Sequence, residues 1–489
     1  MFIGYNIIQG GLEGGSSLHI IAGGLFVNRS HSADKRSAKE KLTGLIIGII
    51  SLLLIKLCKE KRKMKNLSMN FTSFKTDSQM LAEAVREAHK KSGTLIIPPV
   101  NPRTGESVYI IDETILLPSD MEIVLENCVL KLAPDARCNI FRNENMYKEG
   151  YLSKDSEQKN IFIRGIGNAV LDGEGHNDVF EWSSEKDGNP SVYCNNLLLF
   201  HNVDNFAVTG ITVQNPRWWG LNFLFCSNGK ISDIRIKTGE LFSNQDGINL
   251  RTGCHDIEIA RISGNSGDDF IALTAVSFRH IVEGKKTDIH DISIHDVIGS
   301  SVHEGIVTLR ANDGHHIYNV DIENIIESNF DNENILPYGT ILLGQRCFFT
   351  KELGKHGCMH HIRVSGVHTK SGGAAVTLCN TLCDSVIENI YAQNCINAVT
   401  TVNYDHYGNT RLVVRGNADD ENFGPAGVML ERVEFKNINA DKSVRGAAVD
   451  LSEMQDYDFL KDVTFSGIHS ENEALLISDK IKKEGVKVL

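Results

Sequence analysis

GKISDIRI (229–236), DIEIARI (256–262), DIHDISIHDV (288–297) and HIYNVDIENI (316–325) follow one another along the chain, and their reading decides the fold. In each, Ile or Val alternates with polar residues at period two, the pattern of a strand with one buried face. Asn, Asp or Gly marks a turn between the short apolar stretches. Starts such as Ile231, Ile257 and Ile289 are 26 and 32 residues apart. A unit of that length built only from short strands predicts a solenoid. Helical solenoids are excluded, because helix caps and 3.6-residue stripes are missing here. Leucine-rich repeats are excluded, because Ile and Val take the place of regular Leu. The expected class is all-β: a β-helix, its coils stacked at about 4.8 Å.

Outward from these repeats, NIFIRGI and NFAVTGITV extend the pattern toward the N-terminus, and HHIRVSGV, SVIENI, VMLERVEF and FLKDVTF extend it toward the C-terminus. Before them, Thr76-Asp77-Ser78 opens a helical stretch that Gly93 closes, with Met80, Leu81, Ala84, Val85 and Ala88 as its apolar stripe. This helix is expected to cap the open edge of the first coil. Loop insertions are expected near 142–158, 183–194, 276–288, 329–337 and 403–425. Residues 70–489 read as one catalytic domain, and 1–69 as a leader or membrane segment outside it.

The charge divides the same way. The whole chain carries a net −12. Residues 1–68 hold 11 Lys/Arg against 4 Asp/Glu, leaving 39 against 58 in the remainder. A body of −19 excludes a general nucleic-acid binder. Leu42–Ile55 is an apolar run of 14 residues flanked by basic clusters, short of the roughly 20 a membrane span needs. It is an anchor or part of a dispensable start; if it spans, the heavier positive charge behind it would hold the body in the cytoplasm, and a dispensable start leaves the body there as well. Membrane contact is expected only if 42–55 is a true anchor. Eleven scattered cysteines suggest reduced core thiols. Cys379 and Cys383 stand four apart without a second ligand pair at zinc spacing, so no metal or cofactor is expected.

Three turns carry chemistry: Ser243-Asn244-Gln245-Asp246-Gly247, Ser266-Gly267-Asp268-Asp269-Phe270 and Ser301-Val302-His303-Glu304-Gly305. Asp246 and Asp268 are 22 residues apart, one short coil, and should stack as neighbours. Crowded carboxylates cannot all ionise, so one becomes an acid beside a base. Glycosidic cleavage with inversion uses such a pair, roughly 6.5–9.5 Å apart. The same residues also suit ordinary turns or a calcium ion.

The stretch Val213–Leu309 resembles glycoside hydrolase family 28, the polygalacturonase-like enzymes of the pectin lyase-like β-helix superfamily. NQDGINL and GDDFIAL match its Asn-x-Asp-Gly and Gly-Asp-Asp segments in order and spacing; VHEGIVTL keeps His303 of its Gly-His-Gly segment. The resemblance implies a single-stranded right-handed parallel β-helix and an inverting hydrolase of α-galacturonosyl or related pectic linkages, with an oligosaccharide as partner and no cofactor. By carry-over Asp268 would be the general acid, Asp246 and Asp269 would activate water, and His303 would support the acid. The family's Arg-x-Lys pair is missing from GTILLGQR (339–346), with Arg310 and Arg346 as substitutes. Asn244, Arg217, Trp219, Arg251 and Arg310 are the expected substrate-binding residues; core packing is the competing reading for Trp218 and Trp219. His315-His316 and His360-His361 read as turn histidines. A lyase on the same fold and a non-catalytic glycan-binding β-helix remain the alternatives.

Overall fold

The computed structural model describes the backbone of 6–12 and 16–22, and residues 69–175, 195–238, 244–277, 280–302, 304–328, 339–344, 354–370, 373–401 and 428–489. The chain divides into two units, Met1–Arg62 and Lys63–Leu489. In the first, Asn6–Leu12 pairs antiparallel with Ser16–Ala22. The apolar run 42–55 lies outside the described residues. Among the described residues no helix is long and apolar enough to cross a membrane.

The second unit is a right-handed parallel β-helix, the hand that parallel crossovers take. Each coil gives a short strand to a 12-stranded sheet and a longer stretch to a 19-stranded sheet. Ile248–Arg251 leads into His255–Ser266, then Ile271–Ala275 into Ile289–Ser301, then Val307–Ala311 into Ile317–Glu327. Inward side chains stack in columns. Ile231, Ile259, Ile294, Ile322, Val364, Ile387, Phe435 and Phe465 are register partners in turn and all are fully buried. The facing sheet stacks Leu221, Ile248, Ile271, Val307, Ile341 and Val376 in the same way. Each buried side chain of this size contributes about 1.5–3 kcal/mol of apolar transfer energy.

The register corrects one expectation. Ile231 pairs with Ile259 and Ile257 with Ile292, so these coils repeat every 28 and 35 residues instead of 26 and 32. An Ile-x-Ile pattern looks the same after a shift of two residues, and the three-residue step from Ile289 to Ile292 crosses the left-handed Asp291, so only the turn sets the phase.

That turn has a defined cause. The left-handed residue opening each long stretch is Asp120, Asn160, Asn205, Asn228, Asp256, Asp291, Asn319, His361, Asp384, Arg432 and Asp462 in succession, with φ between 48° and 58°. A second column bends the same stretches midway, at Gly210, Asp233, Arg261, Asp296, Asn324, Gly366, Asn389, Asn437 and Gly467. Asn and Asp tolerate this conformation because their short polar side chains bond locally. Here they also bond along the column: Asn205 Nδ2 donates to Asn160 Oδ1 at 2.6 Å and Asn319 Nδ2 to Asp291 Oδ1 at 3.0 Å. His361, with φ 54°, carries a bulkier ring there, and its Nδ1 lies 2.7 Å from Nδ1 of the adjacent His360. His361→Asn is therefore expected to stabilise the fold by about 0.5 kcal/mol, read as a higher urea midpoint at unchanged slope.

The capping helix spans Asp77–Lys91, and Met80, Leu81, Ala84, Val85 and Ala88 are its buried apolar face, as the stripe predicted. Thr76 Oγ1 accepts the Gln79 N–H, and Gly93, at φ 66°, ends the helix. The buried Asp77 carboxylate accepts the Ile110 N–H at 2.8 Å and Arg103 Nε at 2.6 Å, tying the cap to the strand Val108–Ile111. Eight cysteines among the described residues are free thiols, seven of them buried. Of the expected insertions, 183–194, 329–337 and 403–425 fall outside the described residues. The loops 142–158 and 276–288 meet: Ser153 bridges to Glu283, and Lys285 Nζ lies 2.6 Å from Glu157 Oε2.

Candidate active site

Asp246, Asp268 and Asp269 sit in the turns entering the short strands Ile248–Arg251 and Ile271–Ala275. The pairing Ile248↔Ile271, carried back two residues, places Asp246 beneath Asp269, not beneath Asp268. The Gly247 N–H donates to the Asp269 carbonyl at 2.9 Å and seals that phase. The coil is thus 23 residues long, one more than the spacing to Asp268 suggests. Gly247 is required by close approach: a Cβ there would meet the Phe270 carbonyl oxygen at 2.5 Å and Ile236 Cδ1 at 2.2 Å.

The three carboxylates have unlike surroundings. Asp269 is 3% exposed, and its Oδ2 lies 2.6 Å from Arg310 Nη1. Asp246 is 4% exposed; its Oδ2 accepts from Asn249 Nδ2 at 2.9 Å. Burial, reinforced by the charges of Asp268 and Asp269, holds the Asp246 carboxyl well above the usual carboxylate range. Asp268 is only half-buried, and its Oδ2 accepts the Asn244 backbone N–H. Its own carbonyl receives Ser266 Oγ at 2.5 Å and Ser301 Oγ at 2.7 Å. The least buried of the three aspartates is thus the one whose backbone is clamped from two coils.

A raised carboxyl has a consequence for stability. The folded protein retains a proton on Asp246 where the unfolded chain, titrating near pH 4, has lost it. Native stability contributed by this group is present below about pH 4 and declines as pH rises toward the folded value. Asp246→Asn removes the decline. The melting temperature of the variant relative to the parent is expected to rise from pH 4 to pH 7.

The other expected residues are distributed differently. Arg217 is a correction: it is 1% exposed and faces inward. Its Nε donates to the Gly173 carbonyl at 2.6 Å, Nη2 to Ala133 at 2.5 Å and Pro134 at 3.0 Å, and Nη1 to Ala136. It fastens a turn and is not available to substrate. Trp219, one coil before Asp246 by the pairing Leu221↔Ile248, is 8% exposed within a small second core with Trp218, Met146, Leu199, Phe225 and Val282. The Arg251 guanidinium lies 4.4 Å from its ring centre, so that ring face is occupied by protein. Both belong to the wall of the site, and core packing is the reading that the structure favours for the tryptophans. Arg310 is 8% exposed and meets Asp269 and, at 3.8 Å, Glu304, which makes it a partner of the acids. His303 and Arg346 lie outside the described residues.

Asn249, Ser266, Ser301 and Glu304 belong to this site although their residue types drew no attention. Asn249 carries a signal in hindsight: a polar residue in the middle of the strand INLR, three after an aspartate. Glu304 looked like an interruption of a motif, yet the pairing Ile271↔Val307 sets it one coil beyond Asp268.

The chain resembles several solved β-helices at low identity. A family 28 exopolygalacturonase of Yersinia enterocolitica aligns at TM-score 0.46 and 13% identity, over 86% of this chain and 77% of its own. The polygalacturonase of Erwinia carotovora ssp. carotovora aligns at 0.42 and 12%, over 83% and 91%. The pre-mature bacteriophage phi29 gene product 12 aligns at 0.48 and 12%, over 90% and 58%. No curated protein matches the chain. The sequence model described as glycosyl hydrolases family 28 matches residues 144–301, so the family 28 resemblance holds over the segment that carries Asp246, Asp268 and Asp269.

Proposed function

We propose that the chain cleaves α-galacturonosyl or related pectic linkages by inverting hydrolysis, acting on oligosaccharides. The carrying observation is the unequal setting of three neighbouring aspartates: Asp268 is half-buried, while Asp246 and Asp269 are buried beside it. Such a cluster titrates as a unit and keeps a proton at pH values where an isolated aspartate has none. Asp268 is its least buried member and delivers that proton to the leaving oxygen. Asp269, paired with Arg310 Nη1, draws a proton from the attacking water, and Asp246 helps to position it. The retained proton and the paired carboxylate are the acid and the base that the reaction needs.

The loops 142–158 and 276–288 support attack from a chain end. Joined at Ser153–Glu283 and by the 2.9 Å contact of Tyr151 Oη with His280 Nδ1, they form a wall on the side of Trp219. A defined pectic oligosaccharide is expected to yield monomer or dimer from the first minutes. An early ladder of mixed lengths would contradict the chain-end reading. An unsaturated product absorbing in the near ultraviolet would instead show a lyase.

A further inference from the structure

On the 19-stranded sheet, away from the three aspartates, His356, Cys383 and Glu431 converge from three successive coils. Cys383 and Glu431 are register partners on the stretches Leu382–Ala392 and Met429–Ala440, and His356 lies just before Met359–Thr369. His356 Nε2 is 2.9 Å from Glu431 Oε2 and 3.5 Å from Cys383 Sγ. One ligand atom from each lies within 4.8 Å of the others.

We propose that these residues form a site for a borderline-soft divalent cation such as Zn2+, a structural clamp across three coils. The donor set of thiolate, imidazole and carboxylate suits zinc. Ligand atoms around a tetrahedral zinc are separated by about 3.3–3.6 Å, given bond lengths of about 2.0–2.3 Å, so the two spacings from His356 Nε2 need to change by only tenths of an ångström, and the Cys383 thiol lies within 4.8 Å of the Glu431 carboxylate. The surroundings also fit. Glu431 directs Oε2 toward the imidazole and thiol, while Oε1 is held by Arg432 and, at 3.0 Å, by Lys461 Nζ. An outer shell of that kind fixes the orientation of a ligating carboxylate. The His356 ring packs against Phe459, with centroids 5.4 Å apart. Cys383 is 3% exposed, whereas the His356 side chain is 42% exposed, leaving a route from solvent and room for water as a fourth ligand. Burial and the nearby acids raise the Cys383 thiol, which keeps it protonated without metal. When Zn2+ binds, the Zn–S bond replaces S–H and the thiol proton leaves to solvent, while His356 ligates through Nε2 as neutral imidazole with its ring proton on Nδ1. Thiolate and carboxylate then balance the two positive charges.

The test uses the full chain, stripped with a chelator and titrated with Zn2+ alone. The expected result is one Zn2+ per chain, a melting temperature that rises with free Zn2+, and a thiolate-to-cobalt charge-transfer band when Co2+ is substituted. Cys383→Ser and His356→Ala should each weaken Zn2+ binding by about 100-fold or more and leave circular dichroism unchanged. Cys383→Ser should also abolish the cobalt band. His356 is exposed enough that its variant tests the site even if Cys383→Ser misfolds. Absence of stoichiometric uptake by the parent protein would overturn the proposal. So would uptake of equal affinity in His356→Ala, which would place the metal elsewhere.

Discussion

Asp268→Asn is expected to lower turnover on a pectic oligosaccharide by about 10³-fold, within the 10²–10⁴ range typical of a lost general acid, while the fold survives. Two features separate a chemical from a structural effect. Asp268 is half-buried, and asparagine has nearly the same shape and volume, so the substitution forces no repacking. The Asn244 N–H that Asp268 Oδ2 accepts can be accepted equally by an amide oxygen. The serine hydroxyls of Ser266 and Ser301 bond the Asp268 backbone carbonyl, which the substitution leaves in place. A melting curve within about 1 °C of the parent, beside a collapse of turnover at unchanged KM, is the expected pattern. A large fall in stability with proportionate loss of activity would make Asp268 a turn residue.

Arg217→Met is expected to do the opposite, with stability falling by about 3 kcal/mol or more and the chemistry spared in the molecules that remain folded. Hydrogen bonds to a charged donor are each worth about 1.5–3 kcal/mol, and a buried acceptor left unpaired costs a further 1–3. Arg217 satisfies carbonyls at Ala133, Pro134, Ala136 and Gly173 together, so the contributions do not simply add. Methionine restores the aliphatic stem but none of the donors. Lysine reaches at most part of the set and should rescue only in part. Coils unfold with some independence in a solenoid, so hydrogen exchange at 133–136 and 173 reports the loss more directly than a single melting point. Unchanged protection there, with weaker substrate binding, would return Arg217 to the cleft.

The inner columns were legible because burial leaves its mark one residue at a time: Ile259 and Ile294 are apolar whatever their neighbours. The cap was legible for the same reason, since Thr76, the stripe from Met80 to Ala88, and Gly93 are local signals. Phase between coils was not. Asp246 stands under Asp269 instead of Asp268 because the Gly247 N–H finds the Asp269 carbonyl, a contact no spacing rule contains. Arg217 looked like a cleft residue because it precedes two tryptophans and an acidic turn. Its carbonyl partners at 133–136 lie some 80 residues earlier and show nothing in their sequence that calls for a guanidinium. His356, Cys383 and Glu431 escaped for a related reason: metal-site patterns are recognised by ligands close in sequence, whereas a β-helix brings them together across coils. Cys383 was weighed against Cys379, its neighbour in sequence, while its register partner is Glu431.

The central claim is that these aspartates perform inverting hydrolysis of a pectic glycosidic bond. Proton NMR of the first product formed from a defined α-linked galacturonide oligosaccharide tests it most directly. The account predicts that the newly released reducing end appears first as the β-anomer and then mutarotates. Initial release of the α-anomer, or no release from any pectic oligosaccharide by the parent protein, would contradict it.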